Sequence, residues 1–286
     1  MAGAKARDIK RRIKSVKNIE KITAAMKMVA AARLQKAQRR AESARPYADK
    51  MRAVMASLGS SAGQIEHPLL RVQEERNVAF VVMGADRGLA GSYNANVMRK
   101  AIHEIGDRSP ESVKLIVTGR KAIGFLRKLP YEIVATLQSV SMDVTFADIK
   151  NVTTTLRMLF ETERVDAVYL VYAKFVSALR QEPTVVKLLP VASPDDGGNG
   201  THDFFFEPPA PELLSALLPR YVDTIVYHAL LESNASEQGA RMTSMSAATK
   251  NAGEMIENLT LQYNKARQAA ITSEIVEIVS GAEALR

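Results

Sequence analysis

Between Gly3 and Pro46 no glycine or proline interrupts the chain. Within that run Ile9, Ile13, Val16, Ile19, Thr23, Met26 and Ala30 recur in steps of three and four, the spacing of one face of an α-helix. Alanine is dense from Ala24 to Ala48, which raises helix propensity and keeps the helix thin. Pro46 is a candidate kink, but the period resumes through Met51, Val54, Met55 and Leu58, until Gly59 and Gly63 stop it. At about 1.5 Å per residue such a helix reaches roughly 80 Å, too long to be the core helix of a compact domain.

A second helix of the same kind closes the chain. No proline follows Pro219, and Met245, Ala248, Ala252, Met255, Leu259, Tyr263, Ala266 and Ala270 form a stripe of near-3.5 period. The stripe changes phase near Ala270 and continues as Ile271, Ile275, Ile278 and Ala282. A sustained seam with one phase change is coiled-coil-like with a stutter. Each seam can cover the other, which predicts an antiparallel or obliquely crossing pair.

Between the two helices, strand and helix alternate. Strands are expected at Asn77 to Met83, Val113 to Thr118, Ala167 to Ala173 and Thr184 to Val191. Helices are expected at Tyr93 to Ile105, Arg120 to Leu129 and Phe146 to Glu163. This is a βαβ series, hence a sheet covered by helices. Ala192 to Asp203 is a polar loop, and Pro208, Pro209 and Pro211 mark the return to helix. The expected divisions are an N-terminal helix over 1–58, a linker over 59–76, an α/β domain over 77–208 and a C-terminal helix over 209–286.

The net charge of +8 is unevenly placed. Residues 1–52 carry +12, residues 53–211 carry −1 and residues 212–286 carry −3. All of the positive excess therefore sits on the first helix, which points to a polyanionic partner: nucleic acid, an anionic membrane or an acidic protein surface. The chain has no cysteine, which excludes disulfides, zinc–thiolate sites and thiol catalysis. The longest apolar runs, such as Val78 to Met83, fall far short of the roughly 18–20 residues that span a bilayer. The opening Met-Ala-Gly-Ala-Lys-Ala-Arg has no apolar stretch behind its charges, so no secretory signal is expected.

Motifs with chemistry are few. Gly84-Ala-Asp86-Arg87-Gly88-Leu89-Ala-Gly91 stands where a phosphate loop would stand. Asp86 occupies the second glycine of the dinucleotide fingerprint, and no Gly-Lys-Ser/Thr end follows. A carboxylate there repels a pyrophosphate, so a tight strand-to-helix turn is the better reading. Gly59-Ser-Ser61-Ala-Gly63 matches the nucleophile-elbow expression, but a helix rather than a strand precedes it. His67, His103, His202 and His228 are scattered without helical pairing and give no metal signal. Glu274 and Glu277 lie on one helix and read as surface charge. No catalytic, cofactor-binding or metal-ligating residue is expected.

Three further stretches carry a family resemblance. They are Ala-Met26-Lys27-Met-Val-Ala-Ala-Ala-Arg33-Leu, the loop Asp86-Arg87-Gly88-Leu89-Ala-Gly91-Ser-Tyr93-Asn94, and Ala-Thr-Lys250-Asn251-Ala-x-Glu-Met. With the run from Leu261 through Tyr263, Arg267, Gln268, Thr272, Glu274 and Glu277 to Ala282, they resemble the gamma subunit of F-type ATP synthase of bacterial type. The resemblance implies an α/β fold with two long terminal helices in an antiparallel coiled coil and an inserted Rossmann-like domain. It implies a central rotor shaft, without chemistry of its own, that couples proton- or sodium-driven rotation to ATP synthesis or hydrolysis. The implied partners are the alpha and beta subunits of the hexamer, the epsilon subunit and the ring of c subunits, one copy per complex, with no nucleic acid and only indirect membrane contact. The implied place is the cytoplasmic face of the bacterial inner membrane. By motif match, Met26, Lys27, Arg241, Arg267, Gln268, Thr272 and Glu274 are expected partner contacts. The absence of cysteine removes the thiol switch of chloroplast gamma subunits. Two alternatives stand beside this reading: a dinucleotide-dependent α/β enzyme, and a basic coiled-coil protein that binds nucleic acid, whose affinity falls steeply with salt.

Overall fold

A computed structural model describes residues 2–61, 67–138, 144–191 and 209–283. The expected polar loop Ala192 to Asp203, together with Gly63, His202, Pro208 and Ala284, lies outside the described residues.

The elements run α1 (Ala2–Ser61), β1 (Val78–Met83), α2 (Tyr93–Ile105), β2 (Val113–Thr118), α3 (Arg120–Leu126), β3 (Glu132–Leu137), α4 (Phe146–Glu161), β4 (Ala167–Phe175), β5 (Gln181–Leu189) and α5 (Ala210–Glu283). The first helix continues through Pro46 and past Gly59 to Ser61. The last begins beside Pro209, whose carbonyl accepts from the amides of Glu212 and Leu213. Phe146 opens α4 because Thr145 and Asp148 form a reciprocal capping box, with the Thr145 amide on the Asp148 carboxylate at 2.7 Å.

By contacts the chain forms two compact units, and the division passes through both long helices. One unit holds residues 30–241. Its five-stranded sheet has the order β3-β2-β1-β4-β5; the first four strands are parallel and β5 returns antiparallel against β4. β1 is buried on both faces. Ala79, Val81 and Met83 join Ile149 and Leu156 of α4 and Ile225 and Leu230 of α5. Val78, Phe80 and Val82 join Val97 and Ile105 of α2 and Ile123 and Leu126 of α3. Each fully buried valine, leucine, isoleucine, phenylalanine or methionine among them is worth about 1.5–3 kcal/mol. Leu34, Ala37, Ala41, Ala48, Met51 and Met55 continue the α1 stripe into this unit as buried residues.

The sheet corrects the sequence reading twice. β3 was not foreseen, and the last strand begins at Gln181 rather than Thr184, forming an antiparallel hairpin with β4. β3 sits on the edge with a half-buried face, so its apolar alternation is weak.

The other unit holds residues 1–29 and 242–286. The two helix segments run antiparallel. Lys5 and Ile9 line a recess with Gln262, Lys265, Ala266 and Ala269, Glu20 reaches Gly253, and Thr23 meets Thr249. The seam residues on the two segments are Ile9, Ile13, Val16, Glu20 and Thr23, and Met245, Ala252, Ile256, Leu259, Tyr263, Ala266 and Ala270. Six expected stripe positions fall outside it: Ile19 and Met255, 52% and 53% exposed, and Ile271, Ile275, Ile278 and Ala282, where the stripe was expected to continue. Glu20 and Ile256, one residue along, take the places of Ile19 and Met255. The long Glu20 stem can cover the seam while its carboxylate stays wet. After Ala270 every described side chain through Ala282 is exposed.

Candidate partner interface

The seven expected contact residues fall into three groups. Met26 is half-buried and Lys27 exposed, side by side on α1. Arg267, Gln268, Thr272 and Glu274 are exposed on α5. Gln268 and Thr272 are tied to each other, since the Thr272 hydroxyl donates to the Gln268 carbonyl at 3.0 Å. The antiparallel register places Met26 near Thr249 and Arg267 near Lys5. Some twenty residues separate those levels, about 30 Å along the helix. The surface is therefore two patches on one helix pair rather than one site. Around Lys27, Ile22, Met28 and Val29 are exposed, and around Thr272, Ile271, Ile275, Val276, Ile278 and Val279 are exposed. Apolar side chains left uncovered at this density mark a surface for a partner. Sequence type alone did not single them out, because they resemble the seam residues beside them.

Arg241 stands apart in the other unit. It is buried, pairs with Glu237 one turn earlier, and points a guanidinium nitrogen at the carbonyls of Arg87 and Gly88, each at 3.4 Å. Burial pushes Glu237 above the usual carboxylate range, and Arg241 pulls against that shift. Arg241, an expected partner contact, is held inside its own unit by Glu237 and the loop carbonyls.

The loop that Arg241 touches is built as a turn. Gly119 has φ +86°, and a Cβ there would collide with the Gly84 carbonyl, so the ends of β1 and β2 approach as only glycine permits. Ala85 donates its amide to Asn94 Oδ1 at 3.0 Å. Asp86 accepts the Arg120 amide at 3.0 Å, at the start of α3. The amides of Ala85 and Arg120 are thus already engaged, and the Asp86 carboxylate stands where a phosphate would be received. His67 caps a short 3₁₀ turn, taking the Leu69 amide on Nδ1 at 3.1 Å. His228 is buried on α5, 3.9 Å from Glu232. Among the described residues no cluster of acidic groups and histidines could hold a metal ion, and no helix is long and apolar enough to cross a membrane.

Comparison with known proteins matches residues 5–285 to the family described as ATP synthase. The chain is 46% identical over 280 residues to the ATP synthase gamma chain of Brevibacillus brevis, covering 97% of this chain and 98% of that one. It is 47% identical over 287 residues to the ATP synthase gamma chain of Heliobacterium modesticaldum, covering 98% of each. Among solved structures its fold is similar to a chain of the central stalk and c-ring of Tetrahymena thermophila mitochondrial ATP synthase, with TM-score 0.61 and 24% identity over 79% of this chain and 99% of that one. It is also similar to a chain of Euglena gracilis mitochondrial ATP synthase, with TM-score 0.66 and 17% identity over 99% of this chain and 95% of that one.

Proposed function

Because the chain belongs to the family of ATP synthase gamma chains, we propose that it is the central rotor shaft of an F-type ATP synthase of bacterial type. In this role it couples ion-driven rotation of the membrane ring to ATP synthesis or hydrolysis at the hexamer of alpha and beta subunits. The observation that carries the reading is the antiparallel helix pair. Its inner seam is filled by its own alanine, threonine and isoleucine side chains, while its outer surface leaves isoleucine, valine and basic side chains open. That combination suits an element surrounded by other chains.

The chemistry takes place on the beta subunit, and this chain contributes shape and charge. A turning contact must hold at several angles without a deep energy minimum at any one of them. Exposed charged and polar groups do this, because each solvent-screened pair is worth only about 0–1 kcal/mol. Met26, Lys27, Arg267, Gln268, Thr272 and Glu274 are assigned to that sliding surface. The +12 of residues 1–52 favours an acidic surface on the hexamer as the facing partner. The α/β unit supplies the seat for the epsilon subunit and the c ring, with one copy of the chain per complex. The assembly lies at the cytoplasmic face of the bacterial inner membrane, where this chain is peripheral. Co-purification of the tagged chain from membranes tests the reading. An alpha–beta–epsilon complex with ATPase activity is the expected result, and recovery of the chain free of those subunits overturns it.

A further inference from the structure

Between Ser233 and Arg241 the helix α5 is buried, yet it carries Ser233, Ser236, Glu237, Gln238 and Arg241 there. The preceding turn, with Leu230 and Leu231, is apolar. Burying polar and charged groups does little for stability compared with apolar side chains of the same size. What they do supply is direction.

The partners of this stretch come from different sides. The Tyr93 hydroxyl, at the start of α2, lies 2.7 Å from Ser233 Oγ and 3.2 Å from the Ser233 carbonyl. Ser236 Oγ donates to the Ala173 carbonyl of β4 at 2.8 Å. Gly239 lies against the β4–β5 hairpin, where a Cβ would come 3.3 Å from the Ala178 carbonyl. Arg241 holds Glu237 and the β1–α2 loop. At about 100° per residue these contacts spread over roughly 200° of the helix circumference, within about 12 Å of its length. Apolar packing lets a helix roll by small steps. Buried hydrogen bonds to α2, to β4 and to the β1–α2 loop, spread over roughly 140° of the circumference, do not, because a roll in either direction breaks at least one of them and leaves its groups unpaired.

We propose that Tyr93, Ser233, Ser236, Glu237 and Arg241 form a torsional clamp that stops α5 from turning about its own axis relative to the sheet under load. They are positioning residues for rotary coupling, and the proposal rests on the shaft reading above. Torque entering through the α/β unit reaches α5 through these bonds.

The test uses the complete ATP synthase reconstituted in vesicles, with the triple variant Tyr93→Phe, Ser233→Ala and Ser236→Ala. These changes remove the bonding groups together and keep good helix formers in α5. ATP hydrolysis and ATP-driven ion pumping are measured against a rising opposing gradient. The expected result is hydrolysis and unloaded pumping like the parent, with ions pumped per ATP falling about three-fold as the gradient nears stall. Ser236→Ala alone shows the same load dependence at smaller amplitude, and as a change from one small residue to a better helix former it keeps the complex intact. Pumping per ATP equal to the parent at every gradient, in both variants, overturns the clamp. Failure of the parent chain to restore pumping to a complex lacking it overturns the shaft reading instead.

Discussion

Thr23 and Thr249 meet hydroxyl to hydroxyl at 2.9 Å across the helix pair. Thr249 donates to Thr23 and, in a shared bond, to the Met245 carbonyl at 2.8 Å, while the Thr23 hydroxyl donates to the Glu20 carbonyl at 3.0 Å. The pair is a polar rung in a seam made mostly of alanine and other apolar side chains, and it fixes which residue of one helix faces which of the other.

Replacing one partner leaves a half-buried hydroxyl short of a bond, whereas replacing both does not. Thr23→Val is therefore expected to cost about 1 kcal/mol, and Thr23→Val with Thr249→Val distinctly less than twice that. Urea unfolding of the purified chain, run as a double-mutant cycle, measures the difference; strictly additive losses would show that the bond is not made.

Gly119→Ala should be among the most damaging single changes in the α/β unit. The new methyl group meets the Gly84 carbonyl, and φ at this position is +86°. The strained conformation alone costs about 1–3 kcal/mol. A thermal unfolding midpoint unchanged in the variant would contradict the close approach of the two turns.

His228 lies in a buried setting that holds its imidazole below the ordinary value, through burial first and then Arg52 and Arg45. As pH falls through 6.5 the unfolded chain gains a proton that the folded chain does not take up, so this residue lowers stability toward acid and is neutral above that range. Glu232 beside it has the opposite sign, because burial raises it and its contribution is lost as pH rises out of the usual carboxylate range. His228→Gln should therefore flatten the acid limb of a stability–pH curve near pH 6, while Glu232→Gln should raise stability at pH 7. Denaturation midpoints across pH 5 to 8 decide both.

Lys27→Glu reverses a charge on the outer surface without touching the seam. Assembly and the yield of the complex should be preserved, and ATP-driven ion pumping in inverted membrane vesicles should fall about two- to five-fold, the scale of a screened ion pair. Normal pumping would remove Lys27 from the sliding surface.

Much of the fold was legible because buried strands announce themselves. The bounds of β2 and α2 match the expected ones, and β1 differs by one residue, since strands covered on both faces are continuous apolar runs. β3 was not legible: Glu132, Ile133, Val134, Ala135, Thr136 and Leu137 are exposed or half-buried at every position, so neither an apolar run nor clean alternation marks them. The seam was read one residue off at Ile19 and Met255 because Glu20 hides its stem beneath a charge and Ile256 has an equally apolar neighbour. Arg241 was expected as a partner contact through the family motif. Only the loop at Arg87 and Gly88, more than a hundred residues away in the chain, makes it an interior residue. Lys27 and Thr272 were assigned through family motifs and not through chemistry; the structure shows them exposed, and nothing in an exposed lysine or threonine names its partner.

The open side chains Ile271, Ile275, Val276, Ile278 and Val279 also carry a thermal consequence. Covering aliphatic surface of this kind releases ordered hydration and lowers the heat capacity of the system. A partner gripping the tail of α5 through these groups is therefore held mainly by a hydrophobic free energy that weakens on cooling, so the assembled machine should loosen at this end in the cold before its individual folds are affected.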